Sequence, residues 1–314
     1  MFTKPLEYIC LPSALKESFE AISKNSHGLD GVSFQKFSQD LQQNLQELSQ
    51  NIVEGKYAPE PLKTIEINKI GSDAKRKISL SAIKDKIVQM TLYTNLNPYY
   101  EKLFSDKSYA YRPKKSTIKA LNRISDFFSR GLRVVIKTDI ENFFDTINHA
   151  ILLELLDKEI QDKSLIRVIS LFMQTGSFKT LEYDKHTLGV HQGDILSPLL
   201  SNIYLNEMDK WLEHNEFTFV RYADDFILLF QNFHDAKETL PELRKFLSTL
   251  KLTLKESKTT ITHVKDGFEF LGVRFEGKQR FIENERFQKS ISKIHAFGKS
   301  KQPFFSFIKS TIMN

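Results

Sequence analysis

The sequence of 314 residues predicts an α+β fold, on three observations. Residues 13–55 carry apolar side chains at helical spacing and end at Gly55, a typical helix terminator. Two strand-like segments, LKTIEINKI and KRKISLS, flank a polar turn at residues 71–73. A second strand pair, FTFVRY and FILLF, flanks two adjacent aspartates. Helices combined with antiparallel hairpins are typical of the α+β class, and the length allows one large domain or two to three lobes.

Composition limits the functional classes. The net charge is +6 with an isoelectric point of about 9.1, which suits a polyanionic partner such as nucleic acid. The longest apolar run, FILLF, is far shorter than the roughly 18 residues of a membrane helix, and the first residues lack a secretory signal, so we expect a cytoplasmic protein without membrane contact. Cys10 is the only cysteine and the histidines lack metal-ligand spacing, so neither disulfides nor zinc are expected.

The next elements in chain order are a helix at 85–96 and a strand at 132–138. The strand is predicted from its β-branched run, RVVIKT, and it ends in Asp139. Apolar residues at four-residue intervals then predict another helix. Asp139 is therefore expected at the exit of a strand.

The third group of elements contains a helix and the hairpin with the paired aspartates. Ser197 as the N-cap and Pro198 in the first turn predict the start of the helix. The loop leading into it contains Gln192 and Gly193. A tight turn through residues 223–225 would join FTFVRY to FILLF.

Asp224 and Asp225 have two interpretations. Taken alone, an aspartate pair between strands is most often turn chemistry, because Asp bonds to its own backbone. Packed between apolar strands, however, the two carboxylates would repel each other and would take up protons or bind a cation. If the strand ending in Asp139 is a neighbour, three carboxylates form an all-oxygen site that favours Mg²⁺ or Mn²⁺ over zinc. Two such ions about 4 Å apart are the usual device of phosphoryl transfer.

Taken in order, these segments resemble a reverse transcriptase of the group II intron-like bacterial family, without splicing or endonuclease domains. The resemblance runs from about residue 28 to residue 275. The motifs that carry it are GLDGVSFQKF with EGKYAPEPLKTIEINK, KRKISL, SYAYRPKKST, KTDIENFFDTI, HQGDILSPLLSNIYL, RYADDFILLF, LKLTLKESKTTI and FEFLGVRF.

The resemblance implies a right-hand polymerase with fingers, palm and partial thumb, whose antiparallel-sheet palm bears the YADD hairpin. Residues 1–117 would form the amino-terminal extension and fingers. Residues 118–275 would form the palm, with a helical finger insertion near 148–188. Residues 276–314 would form a short or partial thumb, in which helical spacing also predicts a helix with a cationic face or a solvated surface helix.

The resemblance also lends catalytic roles to individual residues. Asp139 and Asp224 would be the main ligands of Mg²⁺, with Mn²⁺ as the alternative ion. Asp225 would lie nearby, and the carbonyl of Ile140 would complete one coordination shell. Lys258 resembles a lysine that protonates departing pyrophosphate, and the alternative is an ordinary surface lysine.

Nucleotide-binding roles follow in the same way. Lys69 and Arg76 are similar to the family's pair that binds the triphosphate, with Lys75 and Lys77 as competing candidates. Phe144 is similar to an aromatic residue under the incoming sugar, where it would collide with a 2′-hydroxyl and favour deoxynucleotides.

Three further residues are implied near the nucleic acid. Gln192 and Gly193 would place an amide and an unobstructed backbone beside the nascent base pair. Arg112 would either contact nucleic acid, as a nucleotide-binding residue, or support the fingers.

The sequence departs from the family pattern at three positions. Lys77 stands where proline usually follows the finger arginine, which leaves the local backbone path open. His191 replaces a common proline, and Asp194 stands where glycine is usual. None of these changes removes a predicted metal ligand.

The predicted activity is RNA-directed DNA synthesis, with dNTPs added to a primer 3′-hydroxyl by a two-metal-ion mechanism. The implied partners are an RNA template, a DNA or RNA primer, dNTPs, and a partner protein or structured RNA that completes the thumb. CRISPR-associated spacer acquisition, phage defence and diversity generation are alternative settings. The alternative functions are a catalytically lapsed nucleic-acid-binding module and an RNA-directed RNA polymerase.

Overall fold

The computed structural model describes residues 1–23, 28–68, 75–179, 182–184, 187–277 and 279–282. The chain forms two compact units. The first unit consists of Met1–Phe104, Asn142–Glu207 and Leu250–Leu252, and the second of Ser105–Glu141, Met208–Thr249 and Thr253–Asn314. Within the described ranges, no helix combines the length and the apolar character that crossing a membrane requires.

Helices occur in both units, and most of them belong to the first. The helices found in the described part of the chain are α1 (Leu6–Ile9), α2 (Pro12–Ala21), α3 (Phe34–Gln39), α4 (Leu41–Val53), α5 (Ile83–Tyr100), α6 (Thr117–Ser129), α7 (Phe143–Thr146), α8 (His149–Glu159), α9 (Lys163–Gln174), α10 (Ser197–His214) and α11 (Phe233–Thr249).

The strands form small antiparallel sheets. They are β1 (Lys63–Asn68), β2 (Lys75–Leu80), β3 (Val134–Asp139), β4 (Ser177–Lys179), β5 (Glu182–Asp184), β6 (Thr218–Tyr222), β7 (Asp225–Phe230), β8 (Thr260–His263), β9 (Phe268–Phe270), β10 (Val273–Glu276) and β11 (Gln279–Ile282).

The helical pattern predicted for residues 13–55 is confirmed in part. It forms α2, α3 and α4, but the helix stops at Ala21. Gly28 lies close to Ala82, the N-cap residue of α5, since a Cβ atom on Gly28 would lie 2.7 Å from the Cα atom of Ala82. Helix α3 then starts at a new cap, since the hydroxyl of Ser33 accepts a hydrogen bond from the backbone N–H of Lys36 at 3.1 Å.

The first hairpin is confirmed as β1 and β2. Ile67 pairs with Arg76 and Glu66 pairs with Lys77, so the strand continues through the position where proline is usual. The side chain of Arg76 and the whole of Lys69 lie outside the described residues, and their phosphate-binding roles stay predictions. The helix predicted at 85–96 is confirmed and extends over Ile83–Tyr100.

The second unit is built on a four-stranded antiparallel sheet with the order β6-β7-β3-β8. The predicted strand before Asp139 is confirmed as a central strand, paired with β7 on one side and β8 on the other. Central position explains its continuous apolar run, Val134 to Ile136, which is fully buried. A three-stranded sheet of β9, β10 and β11 follows.

Helix α6 packs on one face of the four-stranded sheet. Its apolar residues share a core with Val135, Ile227 and Leu229. Because side chains alternate along a strand, Val135 is on the same face as Asp139, and Ile227 is on the same face as Asp225. Helix α6 therefore covers part of the sheet face from which these two aspartates project. The helix predicted within residues 276–314 lies outside the described residues.

Candidate active site

Strands β6 and β7 form a hairpin whose turn carries one of the predicted catalytic aspartates. The turn consists of Ala223 and Asp224, because Tyr222 pairs with Asp225 across the hairpin. Ala223 adopts a positive φ of 58°, which matches the first central position of a two-residue hairpin turn. The predicted turn is confirmed, with Asp225 as the first residue of β7.

The register of β3 against β7 brings the third carboxylate beside this turn. Asp139, the last residue of β3, is directly opposite Asp225, and such cross-strand partners have Cβ atoms about 4.5–5.5 Å apart. The backbone N–H of Ile140 donates to the carbonyl oxygen of Asp224 at 3.3 Å. The strands that carry the three aspartates are therefore neighbours, as the sequence predicted.

The surroundings of these carboxylates disfavour their full ionisation. Burial, and then the charge of Asp139, raise the pKa of Asp224 to about 6. Burial raises the pKa of Asp225 to about 7, although the Lys137 ammonium acts in the opposite direction. Like charges held together in a partly buried site are stabilised by a proton or by a bound cation.

Lys258 belongs to the same cluster. It ends a single 3₁₀ turn, Glu256–Lys258, and its ammonium forms an ion pair with the Oδ2 atom of Asp139. This hydrogen bond raises the pKa of Lys258. The backbone N–H of Lys255 donates to the carbonyl oxygen of Asp139 at 2.8 Å and so attaches the turn to β3. Although its side chain is half exposed, Lys258 is more than an isolated surface lysine.

The carboxylates of this cluster are candidate ligands of a divalent ion. In the part of the chain that the structure describes, no group of three or more acidic, His or Cys side chains is gathered as a ready-made metal site. Asp139 and Asp224 are close enough that the charge of Asp139 raises the pKa of Asp224. Their hard oxygen atoms fit Mg²⁺ or Mn²⁺, and the positive charge that now neutralises Asp139 is the Lys258 ammonium. The ligand roles of Asp225 and Ile140 stay predictions.

The hairpin is held in place by a buried ion pair, which sequence reasoning missed. Arg221 is fully buried and donates from Nε and Nη2 to the two carboxylate oxygens of Asp209 on α10, at 2.7 and 2.5 Å. Its Nη1 atom donates to the carbonyl oxygen of Ala223 at 3.1 Å. Arg221 thus ties the turn that holds Asp224 to a helix of the same unit. The available signal was a charged residue at an inward position of an apolar strand.

The contacts of Arg112 favour its supporting role. The side chain is buried, and its Nη1 atom donates to the backbone carbonyl oxygens of Ser105 and Ser108, at 2.5 and 2.9 Å. These bonds fix the loop that precedes α6. Its nucleotide-binding role stays a prediction.

Gln192 and Gly193 lie in the first unit, against strand β2. The backbone N–H of Ser79 donates to the carbonyl oxygen of Gln192 at 2.7 Å. Gly193 has a φ of +113°, and a Cβ atom there would lie 2.5 Å from the carbonyl oxygen of Ser79. Only glycine fits this conformation and this approach. The loop is therefore attached to the hairpin of β1 and β2.

Asp194 strengthens the same attachment, which sequence reasoning did not foresee. Its buried carboxylate accepts a hydrogen bond from the Ser81 hydroxyl, whose oxygen in turn accepts one from the Gln89 amide at 3.3 Å. Gln89 in turn accepts from the backbone N–H of Ile195 at 2.8 Å. Burial raises the pKa of Asp194 to about 6. The departure from the family's usual glycine was the signal that this position has a contact of its own.

Phe143 and Phe144, which both belong to the first unit, differ in how deeply they are buried. Phe143 is 2% exposed, and its ring lies 6.5 Å from the ring of Tyr204. Phe144 is only partly buried. Phe144 is therefore the more accessible of the two rings, and its contact with the incoming sugar stays a prediction.

Comparison with known proteins agrees with the motifs. Residues 67–275 match the sequence model of the family described as reverse transcriptase (RNA-dependent DNA polymerase). Protein YkfC of Escherichia coli K12 is 30% identical over 293 residues, which cover 80% of this chain and 77% of YkfC. The group II intron-encoded protein LtrA of Lactococcus lactis is 27% identical over 341 residues, which cover 87% of this chain and 56% of LtrA. The chain thus spans little more than half of LtrA.

A solved structure shares the fold. An apo telomerase from Candida tropicalis, truncated from its C-terminal domain, aligns with a TM-score of 0.54 and 18% identity. The alignment covers 77% of this chain and 60% of that protein. At this identity the likeness concerns the fold alone.

Proposed function

This chain belongs to the reverse transcriptase (RNA-dependent DNA polymerase) family, and from this premise we propose that it is an RNA-directed DNA polymerase that extends a primer 3′-hydroxyl with dNTPs. The supporting observation is the cluster beside the hairpin turn, in which Lys258 forms an ion pair with Asp139 and both charges act on the Asp224 carboxylate. A bound divalent ion would offset the repulsion between the carboxylates of this cluster, which would otherwise destabilise the fold.

Asp139 and Asp224 would hold Mg²⁺. A divalent ion bound there would supply a lower pKa for the attacking hydroxyl and positive charge beside the phosphate. The two carboxylates would orient the ion, because Asp139 is fixed at the end of β3 and the turn that carries Asp224 is fixed by the contact of Arg221 with Ala223. Asp225 and the carbonyl of Ile140 are the further candidate ligands.

Lys258 would hold a proton for the leaving group. Its raised pKa keeps the ammonium charged at neutral pH, and an ammonium can donate to pyrophosphate as the bond to the α-phosphorus breaks. Since half of its side chain is exposed, Lys258 can leave Asp139 when a divalent ion binds.

The remaining groups would bind the nucleotide. Phe144 would exclude a 2′-hydroxyl by contact with the sugar. The rigid loop with Gln192 and Gly193 would support the new base pair, while Lys69 and Arg76 would bind the triphosphate. An RNA template and a DNA or RNA primer are the implied partners.

A primer-extension assay tests the polymerase proposal. The substrate is a DNA primer on an RNA template with Mg²⁺ and separate dNTP and NTP pools. We expect Asp224→Asn to reduce dNTP incorporation by on the order of 10²–10³-fold, because it removes charge at the metal. Asp266→Asn, a change at an exposed aspartate of the same unit, is the matched control. Wild-type activity in the Asp224 variant would remove the assignment.

The same assay tests the choice of DNA as product. Phe144→Ala should raise the use of NTPs relative to dNTPs by roughly 10- to 100-fold, because the smaller side chain leaves room for the 2′-hydroxyl. Phe144→Tyr keeps the ring and serves as the control. An unchanged ratio in the alanine variant would refute the steric role of Phe144.

A further inference from the structure

The second unit has a basic cleft beside the amino-terminal half of α6. The cleft has a volume of about 320 Å³, within the range of ligand sites. Its lining, which defines the basic cleft below, includes four cations and one acid, namely Lys114, Lys115, Lys119, Arg123 and Asp126, together with Tyr109 and Asn122.

Three of the four cations have no anionic partner within the described part of the chain. Lys115 pairs with the exposed Asp106 at 3.2 Å. Lys119 donates only to the backbone carbonyl oxygen of Lys114, at 2.6 Å, and Arg123 stacks 4.7 Å from the centre of the Phe127 ring. Neutral groups hold these cations beside one another without neutralising them. A bound anion would relieve their mutual repulsion.

The cations form a row and not a single point. Lys119 and Arg123 are one helical turn apart on α6, so their Cβ atoms are about 6 Å apart on one face. Arg280 of β11 extends the row, since its Nη1 and Nε atoms donate to Asn122 Oδ1 at 2.9 Å and to Ser125 Oγ at 2.7 Å. A row of charges suits an anion with repeated phosphates better than a single phosphate.

The helix that carries this row is on the carboxylate side of the sheet. Helix α6 shares its core with Val135 and Ile227, which alternate in phase with Asp139 and Asp225. Along β3, the distance from Val135 to Asp139 is about 13 Å. A nucleic acid strand at the carboxylates would therefore need to extend by only a few nucleotides to reach α6.

An aromatic side chain lies next to the row in the chain. Tyr111 is 47% exposed and precedes the cleft residues Lys114 and Lys115. Cations combined with an accessible aromatic ring are the pattern by which proteins bind single strands, through phosphate contacts and base stacking.

We propose that the basic cleft binds the phosphodiester backbone of a single-stranded RNA segment that continues beyond the carboxylate site. The phosphate chemistry follows from the cations themselves. The choice of RNA as the polyanion depends on the proposed polymerase function.

The test measures binding of a labelled single-stranded RNA to the full chain by fluorescence anisotropy at several salt concentrations. Two contacts are removed in the double variant Lys119→Glu/Arg123→Glu. We expect affinity at low salt to fall by on the order of tenfold, and the slope of log affinity against log salt to become shallower by about 1.4, or about 0.7 for each lost phosphate contact. The control is Lys237→Glu/Lys245→Glu, which makes the same charge change on exposed positions of α11.

The outcomes separate this proposal from the polymerase proposal. An unchanged slope in the double variant, or an equal loss in the α11 control, would overturn the cleft assignment. If the double variant loses binding while the wild type shows no primer extension, the cleft stands and the polymerase function fails. The neutral variant Lys119→Gln/Arg123→Gln replaces the double variant if thermal melting shows that the Glu substitutions prevent folding.

Discussion

Two aspartates, the buried Asp194 in the first unit and the partly buried Asp224 in the second, have pKa values raised to a similar extent in different surroundings. Burial is the main cause in both cases and raises each pKa to about 6. Asp194 accepts a hydrogen bond from the neutral Ser81 hydroxyl, and the charge of Lys86 also acts on it. The neighbouring charge that raises the pKa of Asp224 is another carboxylate, that of Asp139.

The difference separates a carboxylate that holds the fold together from one that is prepared for a ligand. A neutral donor satisfies Asp194 within the protein, and removing the carboxylate would leave that donor buried without an acceptor. Asp139 and Asp224 repel each other, and a further positive charge would stabilise both. Asp85 belongs with Asp194, because it accepts from the hydroxyl of Tyr57 at 2.6 Å and from a backbone N–H at 2.9 Å.

The largest expected effect is on the stability of the first unit. Asp194→Ala should lower the free energy of unfolding by about 1–3 kcal/mol, because the buried Ser81 hydroxyl loses its acceptor. Urea denaturation followed by circular dichroism measures this change. Asp266→Ala, at an exposed position of the second unit, should change stability by less than about 0.5 kcal/mol. A loss for Asp194→Ala no larger than that of the control would show that the contact does not hold the loop.

The second prediction is a change in the free energy of unfolding of the opposite sign, caused by substitution of Asp224. Asp224→Asn should raise the free energy of unfolding by about 1 kcal/mol in the absence of divalent ions, because the amide removes repulsion with Asp139. The same denaturation experiment measures it, with Asp266→Asn as the control. Clear destabilisation by Asp224→Asn would mean that its carboxylate is needed by the fold, and the contrast with Asp194 would be broken.

Much of the second unit was predictable because its signals are local. The β-branched run before Asp139 and the apolar runs around Asp224 have the period of strands, and the residues between them suit a tight turn. That the two strands are neighbours required the order of the motifs, since nothing local pairs β3 with β7. The helix-rich first unit was less predictable near its amino terminus, where the predicted helical stretch divides into α2, α3 and α4, with a new cap at Ser33.

The polar contacts that support the sites were not predictable. Lys258 and Asp139 are far apart in sequence, as are Asp194 and Ser81, and no local rule relates such pairs. Arg221 gave a partial signal as a charge within an apolar strand, but its partner on α10 depends on how the helix packs. Periodicity locates the elements, whereas the partners of buried charges depend on tertiary packing.

The smallest expected effect is a pH dependence that distinguishes the two units. Folding raises the pKa of Asp194 and Asp224 from the ordinary value of 3.8 to about 6. The folded chain therefore binds more protons than the unfolded chain between about pH 4 and pH 6, and stability should fall as pH rises through this window.

At pH 7.5, Mg²⁺ should recover part of this lost stability by binding at Asp224, with a rise in melting temperature of about 2–4 °C for 1 kcal/mol. Asp224→Asn should abolish the Mg²⁺ response, while Asp194→Asn should leave it intact because its carboxylate is satisfied by a neutral donor. Equal Mg²⁺ responses in the two variants, measured by differential scanning fluorimetry, would show that the ion does not distinguish these carboxylates.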